Sequence, residues 1–241
     1  MARLTGRSGL ARLSPVRQQA LSVSLATGAY GLSLGALAVA AGLDFWQTMA
    51  LSLIVFSGGS QFAFVGVIGA AGSPWAALGT SALLGVRNGF YGVTLAPILR
   101  PMRGWRFVWG SQVTIDESTA VALSQPEHDA NARRTGFWWT GVGVFVAWNL
   151  LVGVGAIAGQ YIGEPQAWGL DAAAAAAFLG LVWPRLAPRR AQAVAAAAAV
   201  LALALTPVLP AGLPILAAAL VAVGAGWGGP RVDLDPTEAP V

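Results

Sequence analysis

The chain contains no cysteine. That excludes a disulfide framework, a thiolate metal site and a catalytic thiol, and it leaves the redox compartment unmarked. Lysine is absent too, so all 14 basic residues are arginine. A phosphate-binding glycine loop ends on lysine, and no ATP site of that kind can be built. The single histidine, His128, stands in the polar stretch Gln125-Pro126-Glu127-His128-Asp129. A two-histidine metal site is therefore excluded, and His128 reads as a solvated loop residue. Charge of either sign is scarce, at 10% of residues, where soluble proteins carry about 25%. These absences point away from an enzyme and from any cofactor. They leave transport, if transport is the function, to be driven by a gradient or by an energising partner.

What remains is apolar. Hydrophobic residues make up 56% of the 241, and the mean hydropathy is +0.66. The fold class expected is an all-α integral membrane protein. Apolar segments run over residues 19–41, 45–71, 75–99, 137–161, 172–183, 191–205 and 213–227, seven in number. A span needs about 20 apolar residues; the last three segments are short and extend into their flanks. Residues 1–18 form a basic N-terminal tail, 19–229 one transport domain, and 230–241 a polar C-terminal tail. A cleaved signal peptide is disfavoured because the first apolar run is long and leads directly into further spans. A sequence pI near 10.6 suggests nucleic acid, but the arginines lie in short membrane-flanking clusters and not on a basic domain. They read as orientation signals facing membrane lipid.

Arginines concentrate at positions 3–17, 100–134 and 185–190, whereas the connections holding Asp44, Glu164 and Asp171 have none. The positive-inside rule then places both termini in the cytoplasm. That requires an even number of crossings before Arg100, yet three apolar segments precede it. Either residues 45–71 form a re-entrant hairpin, or residues 107–125 also cross and carry Asp116 and Glu117 with them. The first is favoured. It rests on Ser57-Gly58-Gly59-Ser60-Gln61, two glycines flanked by hydroxyls and an amide in the middle of a run without charge. Backbone freed from a helix at membrane depth is tolerated only inside protein or at a wet cavity, and transporters bind substrates at such breaks. A weak echo, Gly42-Leu43-Asp44 and Gly169-Leu170-Asp171, raises an internal repeat with halves 19–125 and 137–229; chance in a low-complexity chain is the alternative.

Polar residues at membrane depth are the candidate site. Arg87 is the only arginine inside an apolar span, beside Asn88. Intramembrane ions are usually paired or functional; the alternative, snorkelling, is hard from the middle of a segment. Arg87, Tyr91 and Thr94 recur at helical spacing, with Gly85, Gly89 and Gly92 near them allowing close backbone approach. Asp116 and Glu117 are adjacent carboxylates among apolar neighbours and are candidate partners for Arg87. A solvated acidic turn or a helix N-terminal pair accounts for them equally. Asn149, in the fourth span, is expected to bond between helices.

Three of these strings, in order and spacing, carry a family resemblance. Phe56-Ser57-Gly58-Gly59-Ser60-Gln61-Phe62, then Gly85-Val86-Arg87-Asn88-Gly89-Phe90-Tyr91, then Asp116-Glu117-Ser118 resemble the AzlC family of branched-chain amino acid permeases. The likeness extends over residues 28–227, mainly as pattern in the alanine-rich last third. Two departures are minor: the residue before the arginine varies in the family, and 127–134 is not distinctive. In that family a large subunit works with a small AzlD-type membrane protein to export valine, leucine, isoleucine and sometimes methionine. The resemblance implies the same here, in a bacterial cytoplasmic membrane and driven by the proton-motive force. It implies a substrate site at Ser57, Gly58, Gly59, Ser60, Gln61, Arg87, Asn88 and Tyr91. Unwound amides at Gly58 and Gly59 would take the substrate carboxylate, Phe62, Phe64 and Tyr91 would line the aliphatic pocket, and Asp116 and Glu117 would bind the ammonium, pair with Arg87 or carry the proton. Two other readings stand beside it: a non-transporting membrane scaffold or receptor subunit, and an uptake permease.

Overall fold

The computed structural model describes residues 14–162, 179 and 182–227. The described residues are helical, without strands. The chain divides into two compact units, Met1–Gly180 and Leu181–Val241. In the first unit the helices are α1 (Pro15–Ala40), α2 (Phe45–Ile54), α3 (Gly58–Gly69), α4 (Pro74–Leu99), α5 (Trp105–Gln112), α6 (Asp116–Leu123) and α7 (Ala130–Ile162). Three of them, α1, α4 and α7, are long and apolar enough to cross a membrane. The second unit contains the helices Arg189–Leu205 and Leu213–Trp227, which pack on each other. The expected segment 172–183 and the tripeptide Gly169-Leu170-Asp171 lie outside the described residues apart from 179, 182 and 183, as do the two tails except for 14–18.

Local chemistry sets the ends. Both α1 and α4 open on Ser-Pro, Ser14-Pro15 and Ser73-Pro74, with proline where its missing N–H costs nothing. The Ser73 hydroxyl accepts from the Ala76 amide at 3.1 Å. Thus α1 starts four residues before the expected boundary at 19. It ends at Gly42, whose φ of +93° suits a glycine just past a helix C-terminus. Asp44 and Gln47 then form a reciprocal capping box that starts α2.

The core of the unit is the α1–α7 pair. Ser24 lies against Thr140 and Gly143, Gly28 against Ala147, Gly31 against Trp148 and Val152, and Gly35 against Val152 and Ala156. Both sequences ascend together, so these two spans run parallel and begin on the same side. Small residues let their backbones touch; a Cβ at Gly31 would stand 2.9 Å from the Trp148 carbonyl oxygen.

Between them the chain makes two hairpins. At its start, α2 adjoins the C-terminal end of α1. The end of α3 returns to that same place, since a Cβ on Gly69 would lie 3.3 Å from Ala41 Cβ. Residues 45–69 therefore go in and come back, as favoured above. At about 1.5 Å per residue the 10 residues of α2 and 12 of α3 each reach roughly half of a hydrocarbon core about 30 Å thick.

The stretch 105–123 also returns. Its α5 starts beside Arg134 and Trp138 and rises until Val113 meets Gly141. Then α6 descends past Gly136 at Val121, and Gln125 ends on Gln19 with a 2.9 Å bond. The alternative in which 107–125 crosses is thereby set aside. One hairpin enters from each side, each following the long helix that ends there. With α1 and α4 as the only crossings before Arg100, residues Arg17, Arg100, Arg103, Arg106, Arg133 and Arg134 all collect at one end.

Candidate functional site

The two hairpins meet tip to tip near mid-height. In the first, the backbone leaves the helix at Val55 (φ −93°, ψ 66°) and re-enters after Ser57 (φ −155°, ψ 105°). The break is thus 55–57, not 57–61: Gly58 and Gly59 are already the first turn of α3. The space at 58 is also tight: a Cβ there would stand 3.1 Å from the Trp148 ring.

A helix end at this depth exposes carbonyls that no water can satisfy. Two glutamine amides take four consecutive ones. Gln61 Nε2 donates to Val55 O at 2.6 Å and to Ser52 O at 3.2 Å. Gln112 Nε2, from the other tip, donates to Leu53 O at 2.8 Å and to Ile54 O at 3.3 Å. Trp148 Nε1 donates to Gln61 Oε1 at 2.8 Å. Gln61 is fully buried and spent on holding the break. Gln112 was missed in the sequence because an isolated amide in a mixed stretch carries no local signal. The second tip is closed by Ser118, whose hydroxyl donates to Val113 O at 2.7 Å and accepts from the Ile115 amide at 3.1 Å. Replacing Gln61 by leucine strands Ser52 O in apolar surroundings and leaves Val55 O with the Ser57 amide as its remaining donor, at 2.8 Å. We expect a loss of about 1–3 kcal/mol, read as a lower melting temperature in detergent, with Trp148→Phe costing less. Equal melting of Gln61→Leu and wild type would remove the amide from this role.

Beside the break lies a cavity of about 310 Å³. Ser57 and Ser60 from α3's start, Ser81, Gly85 and Asn88 from α4, and Gln112 contribute its polar wall; Val55, Leu78 and Ala82 contribute an apolar one. Ser57 and Ser60 are buried, yet their hydroxyls have no hydrogen-bond partner, nor does Asn88 Oδ1. Buried polar atoms are nearly always bonded, so three orphans on one small cavity make it the candidate site. The Ser57 hydroxyl caps no amide of α3, which leaves that helix's positive N-terminal end toward the same space.

The charged residues stand on the next face of α4. Arg87 Nη1 is 3.1 Å from Asp116 Oδ2, the pairing expected, and this is the one ion pair among the described residues. Arg87 Nε and Asp116 Oδ1 have no further partner. Asp116 and Glu117 form the first turn of α6, so they also complement that helix's positive end. Glu117 shares a hydrogen bond with the Thr27 hydroxyl of α1. None of Arg87, Asp116 and Glu117 lines the cavity directly, and neither do Tyr91 and Gln61. Phe62 packs edge-on to Trp148 in the core at 6.2 Å between ring centroids. The apolar lining is Ile54, Val55, Leu78 and Ala82 with one ring, Phe56, and not the expected Phe62, Phe64 and Tyr91. Asn149 bonds between helices as expected, accepting from Ser52 Oγ at 2.7 Å. Of Gly85, Gly89 and Gly92, Gly85 meets another element, the Ser60 hydroxyl, while nothing lies within 4 Å of a Cβ at Gly89 or Gly92. No group of three or more metal-ligating side chains occurs among the described residues.

A protein-family model described as AzlC protein matches residues 22–162. The matched region holds both hairpins and ends with α7, so the expected likeness over 163–227 lies outside it. No curated protein and no solved structure matches the chain.

Proposed function

Since this chain belongs to the AzlC family, and is thus a transport-related membrane protein, we propose that it is the large subunit of a secondary transporter. Its substrates are the branched-chain amino acids valine, leucine and isoleucine, with methionine a further candidate, and its direction is export across the bacterial cytoplasmic membrane. One observation carries the reading: unpartnered buried hydroxyls and a bare helix N-terminus open on a cavity that also has aliphatic lining. A zwitterionic amino acid with a branched side chain supplies what each wall lacks. Its carboxylate accepts from the first amides of α3 and from Ser57 and Ser60. Its side chain lies against Leu78, Ala82 and Val55. Asn88 Oδ1 accepts from the ammonium.

The ion pair then has a separate task. Arg87 and Asp116 fix the second tip to α4, so a movement of either hairpin is felt at the other through Gln112. Glu117 is the one carboxylate of this cluster that can gain or lose a proton without breaking that pair, and we assign the coupled proton to it. A small AzlD-type membrane protein is the assigned partner, and the arginine-rich end is assigned to the cytoplasm.

The test is valine efflux from cells loaded with a valine dipeptide, with and without the small partner. We expect efflux to fall several-fold when either chain is removed. Unchanged efflux together with no valine binding to the purified pair would sink the substrate assignment, and a net rise in internal valine on expression would reverse the direction.

A further inference from the structure

A second cavity, about 660 Å³, opens at the arginine-rich end of the first unit. It lies where α4 stops at Leu99 and α5 begins, against the first turns of α7. Three guanidinium groups line it, those of Arg100, Arg106 and Arg134, together with three indoles, those of Trp105, Trp109 and Trp138. None of these arginines has a carboxylate within ion-pair distance among the described residues, where the one ion pair is Arg87–Asp116. Like charges gathered without a counter-ion repel each other, and such a cluster persists where an anion joins it.

The form of the walls narrows the anion. Arg134 is fixed: its Nε donates to Ile98 O at 2.7 Å and its Nη2 to Arg100 O at 3.0 Å. It thereby closes the end of α4. Trp105 is 74% exposed and stacks on Trp109, with 6.4 Å between ring centroids and an interplanar angle of 11°. Exposed tryptophans beside arginine at the end of a membrane helix belong to the headgroup level of a bilayer. Leu99 and Met102 continue the surface as apolar wall. A free inorganic anion has no use for indoles, a thioether and a leucine. An amphiphile with one phosphodiester and two acyl chains fits both halves.

We propose that this cavity is a binding site for an anionic phospholipid. The phosphodiester and any further acidic headgroup meet Arg100 and Arg106, the glycerol lies over the Trp105–Trp109 stack, and an acyl chain follows Leu99 and Met102. Basic pockets between membrane helices on the cytoplasmic side take acidic lipid headgroups in this manner. The site is separate from the substrate cavity and does not depend on which solute is carried.

Native mass spectrometry of the full chain in detergent tests it, with phosphatidylglycerol and phosphatidylcholine added in turn. Wild type should retain phosphatidylglycerol at least tenfold more strongly than phosphatidylcholine. R100Q/R106Q should lose that preference while its melting temperature stays within a few degrees of wild type. If the double variant fails to fold, Arg106→Gln alone and Trp105→Ala carry the test, each lowering phosphatidylglycerol retention several-fold. Equal retention of the two lipids by wild type, or an undiminished preference in the variants that fold, overturns the proposal. Displacement of phosphatidylglycerol by millimolar inorganic phosphate also overturns it, since it would mark the cavity as a free-anion site.

Discussion

Replacing Arg87 by alanine should abolish valine efflux and lower the yield of folded protein. The guanidinium sits at mid-span of α4 and its one ionic partner is Asp116. Removing it leaves a carboxylate at membrane depth with no counter-charge. The pair is partly buried, with 23% and 10% of the two side chains exposed, so the loss falls below the roughly 3–5 kcal/mol of a fully buried pair and is still a large share of a marginal protein's stability. Removing both charges together, as R87M/D116L, should restore much of the yield, because no lone ion remains. Efflux should stay lost in that double variant if the pair links the second tip to α4 during transport. Full efflux from it would show that the pair only holds helices together and takes no part in transport. Glu117→Gln separates the roles further. It keeps the shape and the hydrogen bond toward Thr27 but cannot release a proton. We expect normal yield and efflux reduced to background; near-normal efflux would remove Glu117 from the mechanism.

The second large effect is expected at Gly35. Its Cβ would run into the Val152 carbonyl oxygen and the Ala156 amide of α7, and Gly155 faces the Leu32 carbonyl of α1 in return. These are backbone atoms of two packed spans, so they cannot move aside as a side-chain end would. Gly35→Leu should therefore cost more than the roughly 1–3 kcal/mol of ordinary overpacking and prevent recovery of folded protein from detergent. Gly89→Ala is the control, with nothing within 4 Å of the added carbon. It should be neutral or raise stability by up to about 1 kcal/mol through helix propensity. If Gly35→Leu melts at the wild-type temperature, the α1–α7 contact does not hold the unit together.

The arginine distribution and the polar string 57–61 contained more of the topology than hydropathy did. Three apolar segments before Arg100 conflict with the positive-inside rule unless residues 45–71 turn back or 107–125 also cross, and the string favoured the first. Hydropathy could not decide it, since two half-length helices and one full crossing have the same apolar composition. The string placed the break at 57–61, two residues late at its start and four at its end. Glycine is a poor helix former in general, but here Gly58 and Gly59 begin a helix, and the Trp148 ring, 90 positions away, leaves little room for a Cβ at Gly58.

By itself, the sequence determined the membrane class and the strings that carry the candidate site, while α1 and α7 start four and seven residues before the apolar runs at 19 and 137. It also placed the charges that had to find partners at low dielectric. Serine-proline pairs, a glycine past α1 and an Asp44–Gln47 box act within one turn, and their effect is readable locally. Tertiary structure alone decided that residues 105–123 also return, that Gln61 is committed to carbonyls while Ser57 and Ser60 are left open, and that Gln112 closes the first tip from the second. Each of those outcomes depends on which groups lie opposite across tens of residues. Periodicity records the face a side chain occupies on its own helix. It does not record which carbonyl, ring or cavity the packing of the other helices brings to that face.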